Sequence, residues 1–324
     1  MSTKTQLLEI LAKNQTTYTS GAKLAAELTI SRNAVWKAIE NLREDGYSIA
    51  AATNKGYRLT YHSDILTEAS ITSHIMNTAA YTLDVRKTVT STNAVLRELA
   101  TAGAPEGYVV VADEQTSGKG RMGRTFHSPA GHGVYFSILL RPGPKSADAS
   151  LITSAAAVAA AQAIEEVLGM SVGIKWVNDL FLDGKKVCGI LTEASFDMEN
   201  GYIESAILGI GINVTTPDDG YPDEIKDIAV SLASGQSATA GERCRLIAST
   251  LDNFWGYYAD LSERRFLDEY RKRSILIGRS INVITHDGII KAQAIAIDDD
   301  CRLIVRYENG ETRRLNSGEV SVRQ

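Results

Sequence analysis

Residues 115–126 read Gln-Thr-Ser-Gly-Lys-Gly-Arg-Met-Gly-Arg-Thr-Phe and follow an apolar run, Tyr108-Val-Val-Val-Ala112. The run has the length and β-branched content of a buried strand. Beyond it, Gly118, Gly120 and Gly123 alternate with Lys119, Arg121 and Arg124. Glycine lets the main chain approach a ligand closely. Ammonium and guanidinium groups suit phosphate or carboxylate. Such a stretch puts a flexible cationic loop at the end of a sheet strand. It reads either as a loop that closes over a small anionic ligand or as a solvated basic hairpin.

At 324 residues the chain has room for two or three domains. The head is helical. Leu7, Leu8, Ile10 and Leu11 form a stripe on a helix over 3–14. Ser20 and Ser31 are candidate N-caps for helices over 21–28 and 32–45. Val35, Trp36, Ile39 and Leu42 fall at core spacing on the third, and Gly46 stops it. Residues 47–61, turning at Asn54-Lys-Gly56, read as a β-hairpin. Three helices and a hairpin make a winged helix-turn-helix. Ser31, Arg32, Asn33 and Lys37 are candidates to meet base edges or phosphates, and Lys55 and Arg58 in the wing to meet phosphates. Residues 1–60 carry a net charge of +3 and the rest −8, which favours DNA over a purely protein-binding winged helix.

Residues 62–64 read as a linker, followed by a helix over 65–76 and a strand from Leu83. Ser91-Thr-Asn93 stands at that strand's end, either to bond a polar ligand head or to cap a helix over 94–102. Val134–Arg141 alternates as a strand and Pro142-Gly-Pro144 breaks it. Ala149–Leu168 is alanine-rich and reads as a core helix. Ile174–Asp179 predicts a short strand ending in Asn178 and Asp179. Asp183-Gly184 turns it into a strand bearing Lys186 and Gly189. Gly209 and Gly211 alternate on a strand ending at Asn213–Val214 and clear one sheet face, for a flat ligand or for a packed helix. Residues 227–232 read as a helical turn, and 242–260 and 261–271 as helices. Short strands from Ser280 predict a small closed β-barrel.

The remaining composition excludes more than it selects. Hydrophobic residues make up 44% and charged residues 23%, as in a soluble globular protein. The longest weakly polar run, Ala155–Ala163, is too short to cross a membrane, and no secretory leader pattern opens the chain. Cys188, Cys244 and Cys301 lack metal or disulfide spacing, which fits a reducing cytoplasm and buried thiols.

Five motifs carry a resemblance over the whole chain: Ser91-Thr-Asn93, Gly118–Arg124, Lys175-Trp-Val-Asn-Asp179, Lys186-Val-Cys-Gly-Ile190 and Gly209-Ile-Gly-Ile-Asn213. In this order and spacing the sequence resembles the bifunctional biotin–protein ligases that are also biotin operon repressors. The resemblance implies a multi-domain α+β fold. A winged helix-turn-helix over 1–62 would precede a class II synthetase-like ligase domain over 65–273, with a mixed β-sheet and helices. A small SH3-like β-barrel would span 274–324.

It also implies the chemistry. The biotin carboxylate attacks the α-phosphate of ATP, giving biotinyl-5′-AMP, and a lysine of a biotin carboxyl carrier protein then takes the biotinyl group. Ser91, Thr92, Asn93, Gln115, Lys119, Gly120, Arg121 and Lys186 would bind biotin. Arg121, Arg124, Phe126, Asn178 and Asn213 would bind the nucleotide. Lys186, Arg121, Asn178 and Asp179 would carry catalysis, Asp179 near Mg²⁺. Biotinyl-5′-AMP would promote a homodimer on operator DNA. Three positions depart from the pattern: Val177 replaces a proline, Lys119 an arginine and Phe126 a tryptophan. A biotin sensor without catalysis and a lipoate–protein ligase are the competing readings. The retained Arg121, Asn178, Asp179 and Lys186 speak against the first, and the cationic loop and winged head against the second.

Overall fold

The computed structural model describes the chain except residues 1–2, 15–16, 45–46, 48, 60–63, 143–148, 198, 200, 234–240, 286–287, 317 and 323–324. The proposed stop at Gly46, most of the linker over 62–64 and most of the break over 142–144 lie outside the described residues. The chain divides into two compact units, the first essentially residues 1–65 and the second the remainder.

In the first unit, α1 (Thr3–Lys13), α2 (Gly21–Glu27) and α3 (Arg32–Glu44) precede a hairpin of β1 (Ile49–Ala52) and β2 (Gly56–Leu59). Ser20 Oγ accepts from Lys23 N–H at 3.2 Å and Ser31 Oγ from Ala34 N–H at 3.1 Å, so both serines cap their helices. Leu7, Leu11, Leu24, Val35, Ile39 and Leu42 form the core. Trp36 corrects the sequence expectation. It is 51% exposed, because it lies one residue beyond Val35 on the helical wheel, off the buried stripe.

The second unit opens with α4 (Glu68–Thr72), much shorter than the helix expected over 65–76 because Thr67 Oγ1 caps it late. β3 (Thr82–Val89), α5 (Thr92–Thr101), β4 (Tyr108–Gln115), β5 (Gly133–Leu140) and α6 (Ala149–Leu168) follow. Then come β6 (Gly173–Lys175), β7 (Asp179–Leu182), β8 (Lys185–Asp197) and β9 (Tyr202–Asn213). The expected strand over 174–179 is split by a turn at residues 176–178, which ends in Asn178 and sets Asp179 at the start of β7. These strands form one mixed sheet in the order β3-β4-β5-β9-β8-β7-β6. Asp183 and Gly184 both take positive φ, 49° and 81°, which gives the tight β7–β8 turn.

The two faces of the sheet have different cover. Val109, Val111, Phe136 and Ile138 join the main core with α6, while Val110, Leu139 and Ile207 meet Leu96 of α5. That is why β5 is buried at every residue instead of at alternate ones. α6 has the length and apolarity to cross a membrane, which the shorter run Ala155–Ala163 understates, but most of it is buried in the core. Its alanines bring the helix axis close to the sheet.

α7 (Glu242–Tyr258) and α8 (Leu267–Arg273) lead to β10 (Ser280–Thr285), β11 (Gly288–Ile297), β12 (Leu303–Tyr307), β13 (Thr312–Leu315) and β14 (Glu319–Val322). The last strand was not anticipated. Among the described residues the order is β13-β12-β11-β10-β14, with no pairing that closes the sheet into the expected barrel. Trp176 Nε1 donates to Cys301 O at 2.8 Å, tying this sheet to the turn before β7.

Overpacking the α6 contact is a direct test of that closeness. Ala160→Leu at a fully buried site is expected to cost about 1–3 kcal/mol, read as a lower urea midpoint at unchanged slope.

Candidate active site

α5 covers only part of its sheet face, and the uncovered end is floored by glycine. Gly209, Gly211 and Gly189 lie on that face through the pairs Ser137↔Gly209 and Gly189↔Gly211. A Cβ on Gly209 would stand 2.2 Å from Asn93 Oδ1, and one on Gly211 2.5 Å from the Phe126 ring. Glycine here makes room for an amide from α5 and a ring from the cationic loop. The sequence alternatives, a ligand face or a helix contact, are therefore combined on one strand.

Ser91-Thr-Asn93 does not act as a simple cap. Ser91 is the N-cap residue but its side chain accepts no capping bond. Thr92 and Asn93 are buried in a polar network. Gln115 Oε1 accepts from Thr92 N–H at 2.9 Å, and Gln115 Nε2 donates to Ser128 Oγ at 2.8 Å. Ser137 Oγ lies 2.7 Å from Thr92 Oγ1 and 2.6 Å from Asn93 Oδ1. Asn93 Nδ2 donates to Glu193 Oε2 at 2.8 Å, and Arg97 Nη2 meets Glu193 Oε1 at 2.5 Å. Sequence reasoning missed Ser137 and Glu193. Ser137 had left a signal, as the one polar side chain in the apolar run Val134–Leu140.

The cationic loop folds back on itself. Gln115 bridges Ser128 and Lys119 bridges Thr125. Phe126 N–H donates to Gly118 O at 2.9 Å and Gly120 N–H to Arg124 O at 2.7 Å. Met122 and Gly123 turn the tip with φ of 56° and 74°. Phe126 is thereby swung inward while Arg121 reaches across to Asn178, donating from Nη1 to Oδ1 at 3.0 Å. Asn178 Nδ2 donates to Ile190 O at 2.8 Å, which fixes the amide.

Lys186 is pinned by its main chain. Where β9 ends, residues 228–230 take its place beside β8: Lys186 N–H donates to Ile228 O at 2.7 Å and Val230 N–H to Lys186 O at 2.9 Å. The helical turn expected over 227–232 lies earlier, where Ala229 N–H donates to Ile225 O at 2.8 Å, and the chain passes from it into this bridge. Lys186 Nζ sits 2.7 Å from Asp179 Oδ1 and 6.0 Å from the Phe126 ring centroid. Cys188, fully buried just behind, has its thiol pushed well up by burial, which makes it a poor nucleophile.

Two clefts share this wall. The narrower is lined by Ser91, Thr92, Asn93 and Gln115 at one end and by Lys119, Arg121, Asn178 and Lys186 at the other. The wider, about 480 Å³, shares Gly120, Arg121, Phe126, Asn178 and Lys186 and adds Arg124, Asp179 and Asn213. His127 and Tyr221 also line it. Burial, and secondarily the charge of His132, hold the His127 imidazole below its usual pKa. All the residues expected at a ligand site in this unit thus border one of the two clefts. In the first unit, Ser31, Arg32, Asn33, Lys37 and Lys55 are exposed. Arg58 is different: its guanidinium stacks 4.8 Å over the Tyr18 ring.

Residues 85–213 match the Biotin/lipoate A/B protein ligase family, 3–58 an HTH domain and 276–323 the Biotin protein ligase C terminal domain. The bifunctional ligase/repressor BirA of Bacillus spizizenii is 37% identical over 98% of this chain and 97% of its own length. The chain belongs to the biotin protein ligase family. The Escherichia coli bifunctional ligase/repressor BirA is similar at 25% identity over 98% of this chain and 96% of its own. Among solved structures, the biotin protein ligase from Aquifex aeolicus in complex with biotin and ATP is similar with a TM-score of 0.62 and 28% identity, over 75% of this chain and 98% of that one. In this biotin protein ligase the Trp176–Val177 peptide, at the position that departs from the family's proline, is cis.

Gly209→Ala is expected to push the Asn93 amide off Ser137. The loss should be about 1–3 kcal/mol, measured as a lower melting temperature.

Proposed function

We propose that this chain is an ATP-dependent biotin–protein ligase and a DNA-binding repressor of biotin genes. The observation that carries the first part is the shared wall. A narrow polar cleft and a wide cationic one meet at Lys186, Arg121 and Asn178. A substrate with a polar head and a carboxylate tail fits the first, head toward Thr92 and Gln115 and tail toward Lys186. ATP fits the second, with Phe126 and Asn213 toward adenine and Arg121, Arg124 and Lys119 toward the phosphates.

The carboxylate and the α-phosphate then meet at two cations, where negative charge gathers as the phosphorane-like state forms. Fixed cations aimed at developing charge commonly supply the largest catalytic term, and the two clefts supply proximity. The nucleophile is the biotin carboxylate itself, so no protein nucleophile is required. Pyrophosphate leaves and biotinyl-5′-AMP remains. An acceptor lysine of a biotin carboxyl carrier protein next attacks the acyl carbon, with AMP as leaving group. Asn178 and Asp179 are suited to orient that amine.

Among the described residues no group of three or more His, Cys, Asp or Glu side chains forms a metal cage. Mg²⁺ bound by phosphates and water needs only one or two carboxylates, and Asp179 offers one beside Lys186. A bound Mg²⁺ would supply charge neutralisation on the phosphates. Lys119 keeps the charge of the arginine it replaces but not its fork of donors.

The winged helix presents Arg32, Asn33 and Lys37 on one exposed face of α3, which suits a major groove. A C₂ homodimer promoted by biotinyl-5′-AMP would place two such helices on a palindromic operator. The C-terminal sheet would curl as an SH3-like barrel, the central domain would follow the class II synthetase plan, and the compartment would be the cytoplasm.

The ligase assay uses purified protein, α-labelled MgATP and biotin, or lipoate as control, with or without carrier domain. Labelled adenylate should form with biotin alone and vanish as the carrier is biotinylated. Lys186→Met should slow adenylate formation by about 10²–10³-fold. A folded wild-type protein that makes no adenylate from biotin defeats the reading.

Arg32→Ala should weaken operator binding and lower the salt slope by about one while leaving biotinylation unchanged. Unaltered DNA affinity would remove Arg32 from the interface.

A further inference from the structure

The chain of polar groups leading from the narrow cleft to the half-exposed Glu193 has a definite proton order, and that order can be read from its far end. Glu193 is a carboxylate and can only accept, so the Asn93 atom 2.8 Å from it must be the NH₂ group. Asn93 Oδ1 therefore faces Ser137 Oγ at 2.6 Å. An amide oxygen carries no proton, so the Ser137 hydroxyl donates to it. That uses the only proton Ser137 has. At its 2.7 Å contact with Thr92 Oγ1, the threonine hydroxyl must then be the donor. Thr92 Oγ1 is left with lone pairs toward the cleft it lines. Gln115 Oε1, 3.2 Å from Thr92 Oγ1, is served by the Thr92 N–H at 2.9 Å.

What fixes this order lies outside the cleft. Arg97 on α5 pairs with Glu193 at 2.5 Å and keeps the carboxylate turned to the start of its own helix. Gly209 leaves space for the amide in that pose. We propose that Glu193, held by Arg97, is a positioning residue. It sets the direction of the Asn93 amide and so makes Thr92 Oγ1 an acceptor for an N–H of the bound ligand. The inference rests on the function proposed above, in which that N–H belongs to the cyclic urea of biotin.

An isosteric swap tests it. In Glu193→Gln the Arg97 cation draws the new amide oxygen, so the glutamine presents NH₂ to Asn93 and forces that amide to turn. Asn93 then donates to Ser137, Ser137 to Thr92, and the Thr92 proton turns toward the ligand's N–H. Biotin titration calorimetry without ATP should show about tenfold weaker binding. Arg97→Met alone should change affinity by less than about threefold, since Glu193 still accepts from Asn93. The double variant Arg97→Met/Glu193→Gln should recover to within about threefold of wild type, because the glutamine is then free to turn its oxygen inward. A purely structural or charge effect of Glu193 would not be rescued by deleting a second group. Glu193→Gln that binds as wild type does, or a double variant as weak as Glu193→Gln, overturns the inference and leaves the ligase reading intact. Wild-type protein that binds no biotin overturns both.

Discussion

Lys186 is fixed from its backbone outward. β9 stops at Asn213, and the strip at 228–230 continues the ladder on the far side of β8, holding both main-chain groups of Lys186. Asn213 stitches the same junction: its Nδ2 donates to Val230 O at 3.2 Å, and its carbonyl accepts from Leu232 N–H at 3.0 Å. A lysine has four rotatable bonds and loses much entropy when immobilised. With its root held in a ladder and its tip on Asp179, the ammonium is ordered before a substrate arrives. That ordering holds the ammonium at the wall that both clefts share.

The same economy of position appears on β9. Gly209 and Gly211 hand the space above them to residues from elsewhere in the chain, Asn93 and Phe126. Each pair is far apart in sequence, yet a side chain on the glycine would collide with its partner. A change on one side therefore demands a change on the other. The phenylalanine at 126 occupies less room than the tryptophan it replaces in the family pattern, and it still leaves none for a methyl on Gly211.

Much of this was legible in the sequence because the relevant signals are local. Caps at Ser20 and Ser31, the Asp183-Gly184 turn and the alanine helix are written within a few residues of where they act. The five motifs located the cleft linings for the same reason, since each is one short segment at a strand end. What stayed hidden depends on distant partners. Trp36 passed for core because its spacing is only one step from Val35, and the wheel angle that exposes it needs the axis of α3. Ser137 and Glu193 have no meaning until β5 and β8 are set beside α5. The segment at 225–230 lacks alternation and does make a helical turn to 229, but its bridge to Lys186 depends on the end of β9 leaving that side of β8 unpaired. The strand β14 takes its meaning from pairing with β10, a partner distant in the sequence.

Trp36 has one more property that follows from where it sits. An indole's emission shifts and dims with its surroundings, and the first unit contains this one tryptophan alone, half open to water, while the second holds two, Trp176 only 4% exposed and Trp255 partly buried against the core. The two halves of the molecule are thus optically labelled by nature. Emission from the helical head comes from Trp36 alone, toward the red side of the band, whereas Trp176 and Trp255 share the signal of the second unit. An event at either end of the chain can be followed by colour without attaching a dye.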